Sequence, residues 1–465
     1  MTERSPLAER LFAPVDIASL VVIRIAFGLS LVIQWIRYFT SGRVHDNYVD
    51  PSLHFKFFGF SWVPTLPDPL VPWFFGLMLV LSIFVTLGYR YRTSTIALAV
   101  CIAIWFFWDE TYFNNHFYLE LLLAVLFVFL PANRAFSLDA KRDPELRSET
   151  TPAWTVYLLQ FQVGLAYFYG GLAKFEPDWM TGIPARALLS DHYHDDWGPV
   201  LLTEGMGLLL AWSGLVFDLL VVPALLWKRT RVAAFLVALV FHVSNHFLWR
   251  IGVFPWMMIP LTTIFFEPSW PRRFLGKNGK SDTPAAPSKP TVAANRPLLL
   301  AGLAAFVAFQ LLWPFRHHFY PGRVVWREEG FLFGWHMMLR QKFANVAFKV
   351  VHDGREVPLE LDLPITPKQW QVMSLRPRLM LNFAHWLRDE AERQGYPGAQ
   401  VHASAQIMLN GRPAQFIIDP DVDLAQYEDT LGALPFIRPL ETETPPPRAF
   451  LYEEIKANLE AGEQR

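Results

Sequence analysis

The chain has 465 residues, of which 52% are hydrophobic and 18% are charged, with 40 Phe and 18 Trp. This balance is typical of a protein with a large lipid-facing surface, although the length alone would suggest two or three soluble domains. The formal net charge of −1 offers no concentrated basic face and therefore excludes a nucleic-acid partner from our predictions. Cys101 is the single cysteine, so no disulfide can form within the chain.

Long apolar stretches begin close to the N-terminus and recur through the first 314 residues. A hydrocarbon core about 30 Å thick needs roughly 20 apolar residues in helical conformation. We therefore predict an α-helical polytopic membrane protein with about eight to nine transmembrane helices, the first of them retained rather than cleaved as a signal peptide. The predicted spans are 17–38, 69–88, 93–109, 117–131, 153–174, 200–226, 232–248, 251–266 and 296–314.

Basic residues are concentrated in four of the predicted connections, at 90–92, 134–147, 228–231 and 272–280. Threading the chain through nine spans places all four connections on one face, together with the N-terminus. Because basic loops stay on the cytoplasmic side, this face is predicted to be cytoplasmic. The other connections and everything after the last span are predicted to be extracytoplasmic, that is, periplasmic or lumenal.

These patterns divide the chain into five segments. The prediction is a helical membrane domain with an active-site pocket over 1–276, a cytoplasmic linker over 277–295, and the last span over 296–314. An extracytoplasmic β-rich domain then covers 315–440, and a Pro- and Glu-rich tail covers 441–465.

The extracytoplasmic segment shows strand patterns and turn signals. Val324–Trp326 is strand-like. Phe343–Val351 turns at Asp353-Gly354 into Val357–Leu363, and Val401–Leu409 turns at Asn410-Gly411 into Pro413–Ile418, which predicts two hairpins. Thr366 and Pro367 predict a helix start, and Pro377 predicts a second start for a helix that ends near Gln394. We expect a mostly β, sandwich-like domain with one helical excursion.

Three polar clusters fall at the predicted extracytoplasmic ends of the spans. They are Lys174 with Tyr167, then Asn114, Asn115 and His116, and finally His242, Asn245 and His246. Each has a structural explanation: a lysine can extend its amine to the interface, and a histidine or asparagine can hydrogen-bond a neighbouring backbone. Because ionisable groups in a membrane are costly, three clusters at one depth favour a shared pocket. An amine in a poorly solvated pocket also releases its proton more readily, which predicts a base.

Metal binding is not predicted at these clusters. His242 and His246 have the i, i+4 spacing of some metal ligands, but no Glu lies between them and no third ligand is evident. Phosphate-binding loops and hydrolase nucleophile motifs are also missing from the sequence.

Several motifs resemble the vitamin K-dependent gamma-glutamyl carboxylase family and its microbial relatives, which share the horizontally transferred transmembrane domain. The resemblance runs in the same order from about residue 15 to 440. Its motifs are 108–118 (WDETYFNNHFY), 167–179 (YFYGGLAKFEPDW), 241–245 (FHVSN), 251–254 (IGVF), 335–338 (WHMM) and 416–420 (FIIDP).

The resemblance implies a lyase with residue roles that match the polar clusters. The lysine matching Lys174 is the base that deprotonates vitamin K hydroquinone, and the histidine matching His116 supports this chemistry. Tyr167 and His242 match pocket positions, and we add Asn114, Asn115, Asn245 and His246 as quinone-binding residues. The reduced quinone, phylloquinol or menaquinol, reacts with O₂ to give the epoxide. This reaction drives γ-proton abstraction and CO₂ addition on a glutamate of a secreted or membrane protein.

Two other functions remain open at this point. The chain could be a quinol epoxidase that does not carboxylate, or a membrane protein that binds a quinone or lipid without turnover. Retention of Lys174 and His116 favours quinol oxygenation and says much less about carboxylation.

Overall fold

The computed structural model describes residues 6–190, 197–249, 251–275, 296–360 and 362–442. The predicted linker 277–295 lies outside the described residues, as does the tail from residue 443 onward.

Helices occupy each of the nine predicted spans in the part of the chain that the structure describes. They are α1 (Ala18–Thr40), α2 (Val71–Leu87), α3 (Tyr91–Trp108), α4 (Asn115–Phe129), α5 (Ala153–Leu172), α6 (Glu204–Leu226), α7 (Arg231–Leu248), α8 (Phe254–Thr262) and α9 (Arg296–Leu312). Shorter helices connect or flank them at Pro6–Phe12, Arg43–Tyr48, Leu138–Arg142, Pro177–Met180, Ile183–Ser190 and Gly198–Leu201.

Six of the described helices are long and apolar enough to cross a membrane, namely α1, α2, α3, α6, α7 and α9 with its 3₁₀ extension. This indicates a membrane protein, while the count of eight to nine spans stays a prediction. Two further apolar helices, α4 and α8, are shorter. Helix α5 has 20 residues, but two glutamines and three tyrosines lower its hydropathy. Fifteen of its residues are buried, because α5 lies inside the bundle and faces other helices.

Two of the predicted cytoplasmic loops meet at one end of the bundle, here called the lower end. Buried Arg24 on α1 donates hydrogen bonds to the carbonyl oxygens of Ala132 and Phe136, both at 2.6 Å. The carboxylate of Asp139 accepts from the backbone nitrogens of Arg90 and Tyr91, both at 2.8 Å. The basic connections at 90–92 and 134–147 are therefore adjacent, as threading the chain through the spans requires. A short antiparallel pair, β1 (Pro14–Asp16) with β2 (Thr150–Pro152), lies nearby.

The C-terminal region forms a four-stranded antiparallel sheet against the opposite, upper end of the bundle. Its strands are β3 (Lys342–His352), β4 (Arg355–Glu356), β5 (Gln400–Leu409) and β6 (Gln415–Phe416), in the order β4-β3-β5-β6. Helices α10 (Pro367–Met373) and α11 (Pro377–Arg393) lie between β4 and β5 in sequence. Phe383 of α11 belongs to the same buried cluster as Val401 and Ala403 of β5, so α11 covers one face of the sheet.

Most predicted elements of this region are present, and four differ from the prediction, one of them being the strand Pro413–Ile418, which is shortened to Gln415–Phe416. As predicted, α10 starts after the cap residue Thr366 and the chain turns at Asp353 and Gly354. The structure adds that Thr366 and Gln369 form a capping box and that both turn residues have positive φ. The strand after that turn ends at Glu356, because Pro358 cannot donate a ladder hydrogen bond. The predicted strand Val324–Trp326 is instead a helical turn, Val324–Arg327. An apolar run this short is compatible with either a strand or a helix. The sheet packs against a helix rather than against a second sheet, so the described residues form an α+β domain and not a sandwich.

Buried ion pairs attach this domain to the upper end of the bundle. Asp178, in the short helix after α5, accepts two hydrogen bonds from the guanidinium of Arg412, at 2.6 and 2.9 Å. Both side chains are fully buried. Asn410 and Arg323 also donate to this carboxylate, at 2.7 and 2.8 Å. A second connection joins Asp109 at the end of α3 to Gln369 of α10, at 2.8 Å.

Replacing Asp178 should therefore destabilise the protein strongly. In Asp178→Ala the guanidinium of Arg412 stays buried without its carboxylate, which typically costs about 3–5 kcal/mol of unfolding free energy. Unfolding of the purified protein in detergent, followed by tryptophan fluorescence, measures the loss. Glu441→Ala is the control, because Glu441 and Arg438 form an exposed pair worth about 0–1 kcal/mol. Equal effects of the two substitutions would contradict the assignment of Asp178 as the attachment point.

Candidate functional site

Lys174 lies in a 3₁₀ turn that continues α5 at the upper end of the bundle. Its ammonium donates to the carbonyl oxygen of Gly170 at 3.0 Å and to the carboxylate of Asp218 at 2.7 Å. The residue is only 6% exposed. The amine therefore points into the bundle and not out to the membrane interface, which removes the simplest structural explanation for this lysine.

Asp218, the partner of Lys174, was missed in the sequence analysis. It lies in α6, an apolar helix of 23 residues, and its side chain is 7% exposed. An acid in the middle of such a helix is itself a signal, because an unpaired charge there is costly. The ion pair offsets the cost of burying each charge separately.

Two glycines of α5 allow α6 to approach closely enough for this pair. A Cβ atom on Gly171 would lie 3.0 Å from the backbone nitrogen of Leu219, the residue after Asp218. A Cβ atom on Gly170 would lie 3.5 Å from the Asp218 carboxylate and 2.8 Å from the terminal methyl of Met337. The two glycines before Lys174 therefore set the distance between the two helices at the ion pair.

Lys174 and Asp218 line a largely apolar cavity of about 390 Å³, here called the lysine cavity. It lies among α5, α6, α7 and α8, and Met337 and Met338 of the C-terminal region cover its upper side. Three predicted site residues, Tyr167, His242 and Asn245, line it together with Lys174. The structure thus brings together four of the eight predicted residues.

A hydrogen-bonded chain orders the polar side chains in this cavity. The Tyr167 hydroxyl lies 2.6 Å from Nε2 of His242 and 2.8 Å from the Thr262 hydroxyl. The Thr262 hydroxyl in turn donates to the carbonyl oxygen of Met258 at 2.8 Å. If each hydroxyl donates once along this chain, His242 donates from Nε2 and its Nδ1 is an acceptor. That Nδ1 is buried and has no hydrogen-bond partner among the described residues.

His116 and Asn114 lie elsewhere, in a second cavity of about 230 Å³, here called the polar cavity. The predicted single pocket is therefore divided in two. The wall between the two cavities is the segment 251–254, which connects α7 to α8. Ile251 and Phe254 line the lysine cavity, while Gly252 and Val253 line the polar cavity. The Phe254 ring lies 5.7 Å from that of His116 and 6.4 Å from that of His242, between centroids.

Positive charge surrounds the polar cavity, because Arg37, Arg43 and Lys368 line it beside His116. No salt bridge joins any of these three cations to an acidic side chain in the part of the chain that the structure describes. Burial lowers the pKa of Lys368 from its usual value, and the Arg43 guanidinium lowers it further. Such a cavity suits an anionic ligand.

The two remaining predicted residues, Asn115 and His246, line neither cavity. Asn115 donates from its side chain to the carbonyl oxygen of His336 at 3.1 Å and so connects the start of α4 to the C-terminal region. Burial lowers the pKa of His336 to about 3, so this ring is neutral near pH 7. Nδ1 of His246 lies 3.3 Å from the carbonyl oxygen of Ile251, where it supports the wall between the cavities.

One group of potential metal ligands is found in the described ranges, and it lines neither cavity. His45, Asp46 and Asp50 bring their ligand atoms together, but all three are exposed. Among the described residues, no third potential metal ligand lies close to both His242 and His246.

Comparison with known families agrees with this architecture. The model described as HTTM domain matches residues 12–270, more than half of the chain. The model described as vitamin K-dependent gamma-carboxylase, lumenal domain, matches residues 295–443. The chain belongs to the vitamin K-dependent gamma-carboxylase family.

No solved structure matches the chain. The two family models meet between α8 and α9, so that α9 falls within the lumenal model and not within the helical one. Membership makes the protein a vitamin K-dependent carboxylase-like membrane protein. The lysine cavity fits a vitamin K quinone, because it is largely apolar and of ordinary ligand size.

The close approach of α5 and α6 can be tested through Gly171. In Gly171→Ala the added methyl meets the backbone of Leu219, so the helices must separate, and overpacking of this kind costs about 1–3 kcal/mol. Thermal unfolding in detergent should therefore shift to lower temperature. Gly76→Ala in α2 is the matched control, because a Cβ atom there meets nothing within 4 Å. Equal stability of the two variants would contradict the packing argument.

Proposed function

We propose that this protein is a vitamin K-dependent gamma-glutamyl carboxylase that oxygenates a reduced naphthoquinone, with Lys174 as the base. The observation that supports this most directly is the buried pair of Lys174 and Asp218 in the wall of an apolar cavity inside the helical bundle. A charge pair is costly in such a place and is not needed to anchor helices in lipid.

The proposed reaction consumes the hydroquinone, O₂, CO₂ and a glutamate residue, and yields the quinone epoxide, water and γ-carboxyglutamate. Oxygenation of the quinol supplies the driving force, because a γ-proton of glutamate is too weakly acidic for an ordinary side-chain base near pH 7. The protein's own residues therefore need only begin the reaction, hold the two substrates and exclude water.

The first step that we assign to the protein is removal of a proton from a quinol hydroxyl by Nζ of Lys174. This step requires a neutral amine, whereas the Asp218 carboxylate at 2.7 Å stabilises the charged form. We propose that Asp218 receives the lysine proton, which converts the ion pair into a neutral pair. A poorly solvated cavity makes this exchange less costly than it would be in water.

The hydrogen-bonded chain of Tyr167 and His242 is proposed to orient the quinol ring. Nδ1 of His242 is a buried acceptor with no partner among the described residues, and a quinol hydroxyl would supply one. The side-chain amide of Asn245, also in the cavity wall, can donate to a developing oxyanion. A well-placed donor of this kind contributes about 3–4 kcal/mol in other enzymes.

We assign the glutamate carboxylate to the polar cavity, where Arg37, Arg43 and Lys368 supply charge and His116 lies beside the wall at 251–254. The peptide would arrive from the upper, extracytoplasmic side, where α10 carries Lys368 into the cavity wall. The quinol would arrive from the bilayer. Separate cavities for an anionic and an apolar substrate agree with these two routes.

Two narrower functions use the same cavities. A quinol epoxidase without carboxylation would need only the lysine cavity. A protein that binds a quinone without turnover would use the same cavity, and the ion pair with Asp218 would then be structural. The Lys174 variants below distinguish turnover from binding.

Two substitutions of Lys174 should stop epoxide formation for different reasons. Lys174→Ala removes the base, and we expect a loss of about 10²-fold or more in rate. Lys174→Arg retains a cation for Asp218 but cannot release its proton, so it should fold normally and be equally inactive. Chromatography of the quinone products, with thermal unfolding measured on the same samples, tests both expectations.

Lys228→Ala is the control, because Lys228 is 80% exposed at the lower end of the bundle, and it should keep full activity. Undiminished epoxide formation by folded Lys174→Arg would refute the role of Lys174 as the base. Incorporation of labelled CO₂ into a glutamate peptide, measured in parallel, separates the carboxylase from the simple epoxidase.

The polar cavity makes a separate prediction about the peptide. Lys368→Gln removes one of its three cations, so KM for a glutamate peptide should rise about tenfold, the effect of losing roughly 1.4 kcal/mol. KM for the quinol should not change. Lys349→Gln, an exposed substitution on β3, is the control. Equal changes in the two KM values would place the anion elsewhere.

A further inference from the structure

The lysine cavity opens sideways through the wall of the helical bundle. Three residues that line it are also exposed on the outer surface: Ser213 on α6, and Val237 and Val240 on α7. Val237 is 57% exposed and Val240 is 66% exposed. A side chain can line a cavity and be this exposed only at its mouth. We call these three residues the α6–α7 opening.

The depth of this opening can be measured along each of the two helices. Val240 precedes the upper end of α7, Leu248, by eight residues, and Ser213 follows the upper end of α6, Glu204, by nine. At about 1.5 Å per residue, both positions lie roughly 12–14 Å below the upper ends of their helices. Phe217 of α6 stacks on Phe241 of α7, so α6 ends above α7, and measured from either end the opening lies within a hydrocarbon core about 30 Å thick. The opening therefore faces lipid acyl chains and not water.

The outer surface around the opening is largely apolar, with Ser213 as a polar exception. Large exposed side chains flank it on both helices, and they are Leu209, Trp212, Val216 and Leu220 on α6, and Leu236 and Phe247 on α7. Lipid, or a lipid-like chain, can contact such a surface at no cost in desolvated polar groups. A strongly polar substrate would find few partners on this path.

We propose that the α6–α7 opening is the portal through which a lipid quinol enters and through which its isoprenoid side chain remains in the bilayer while the ring lies beside Lys174. This inference rests on the proposed function. The cavity of about 390 Å³ has room for a bicyclic ring, and a chain of many isoprene units must leave it. The opening is continuous with the cavity wall that carries Lys174 and Asp218, so ring and chain can be bound together.

A second apolar groove of about 450 Å³ is the alternative binding site for the quinone. It lies on the other side of α5, lined by Tyr157, Gly164, Phe168, Val222, Leu226 and Leu311 among others. Neither Lys174 nor Asp218 reaches it, because α5 lies between the groove and the lysine cavity. A ring bound in that groove could not meet the proposed base.

Photolabelling distinguishes the two routes without turnover. The probe is an oxidised naphthoquinone whose isoprenoid side chain ends in an alkyl diazirine, added to the purified protein in lipid nanodiscs and irradiated. Peptide mapping should find the label on residues 209–220 and 236–247, and excess unlabelled long-chain quinone should prevent it. Label concentrated on 157–168 and 222–226 would overturn the proposal in favour of the groove. Label spread over all lipid-facing helices, without competition, would also overturn it.

A substitution at the opening gives a second measurement. Val240→Trp narrows the mouth, and we expect binding of the long-chain quinone, followed by quenching of tryptophan fluorescence, to weaken about tenfold. Binding of the tail-less 2-methylnaphthoquinone should not change. Leu236→Trp is the matched control, because Leu236 is 53% exposed on the same helix but does not line the cavity. Equal weakening for both quinones, or equal effects of the two variants, would refute the portal.

Failure of the portal and failure of the proposed function are separable. If wild-type protein makes no epoxide from either a long-chain or a tail-less hydroquinone, the proposed function is wrong. The photolabelling result depends only on binding and still decides where the side chain lies.

Discussion

The buried ion pair between Lys174 and Asp218 is the interaction on which the rest of the site depends. Two charges inside an apolar bundle are tolerated only in contact, so α5 and α6 must approach closely. Gly171 permits this approach, and Met337 of the C-terminal region closes the space above Gly170. The attachment of that region through Asp178, four residues after Lys174, then holds the turn that carries the lysine. The packing of α5 on α6, the attachment of the C-terminal region and the proposed base therefore all depend on residues 170–178.

The division into two cavities allows the site to bind two proposed substrates of opposite polarity. An apolar quinone and an anionic glutamate side chain need opposite surroundings, and one pocket could not provide both. The segment 251–254 separates an apolar cavity with one charge pair from a polar cavity bordered by three cations. In that wall, the Phe254 ring lies between His116 and His242. The proposed reaction would have to pass across or around this ring.

Much of this arrangement could be predicted from the sequence. The pattern of apolar residues predicted the nine helices of the bundle, and in the C-terminal region the sequence predicted the start of α10 at Thr366 and the two hairpin turns. Lys174, Tyr167, His242 and Asn245 were placed together because each lies near the same end of its helix. His116 lies at that end as well, but depth along a helix says nothing about rotation around the bundle. Asp218 was overlooked because a single acid carries no motif, and its partner is 44 residues away.

The sequence by itself determined the class of the protein, the family, the positions of the helices and the depth of the polar groups. The family follows from the resemblance of short motifs that occur in the same order along the chain, and the other properties depend on hydrophobic length, local periodicity and residue type, all of which are local. Only the tertiary structure decided which polar groups share a cavity, that Lys174 is paired with Asp218, that a helix and not a second sheet covers the C-terminal strands, and that the lysine cavity opens between α6 and α7. Each of these depends on which faces of distant helices and strands meet, and this is set by packing across the whole chain.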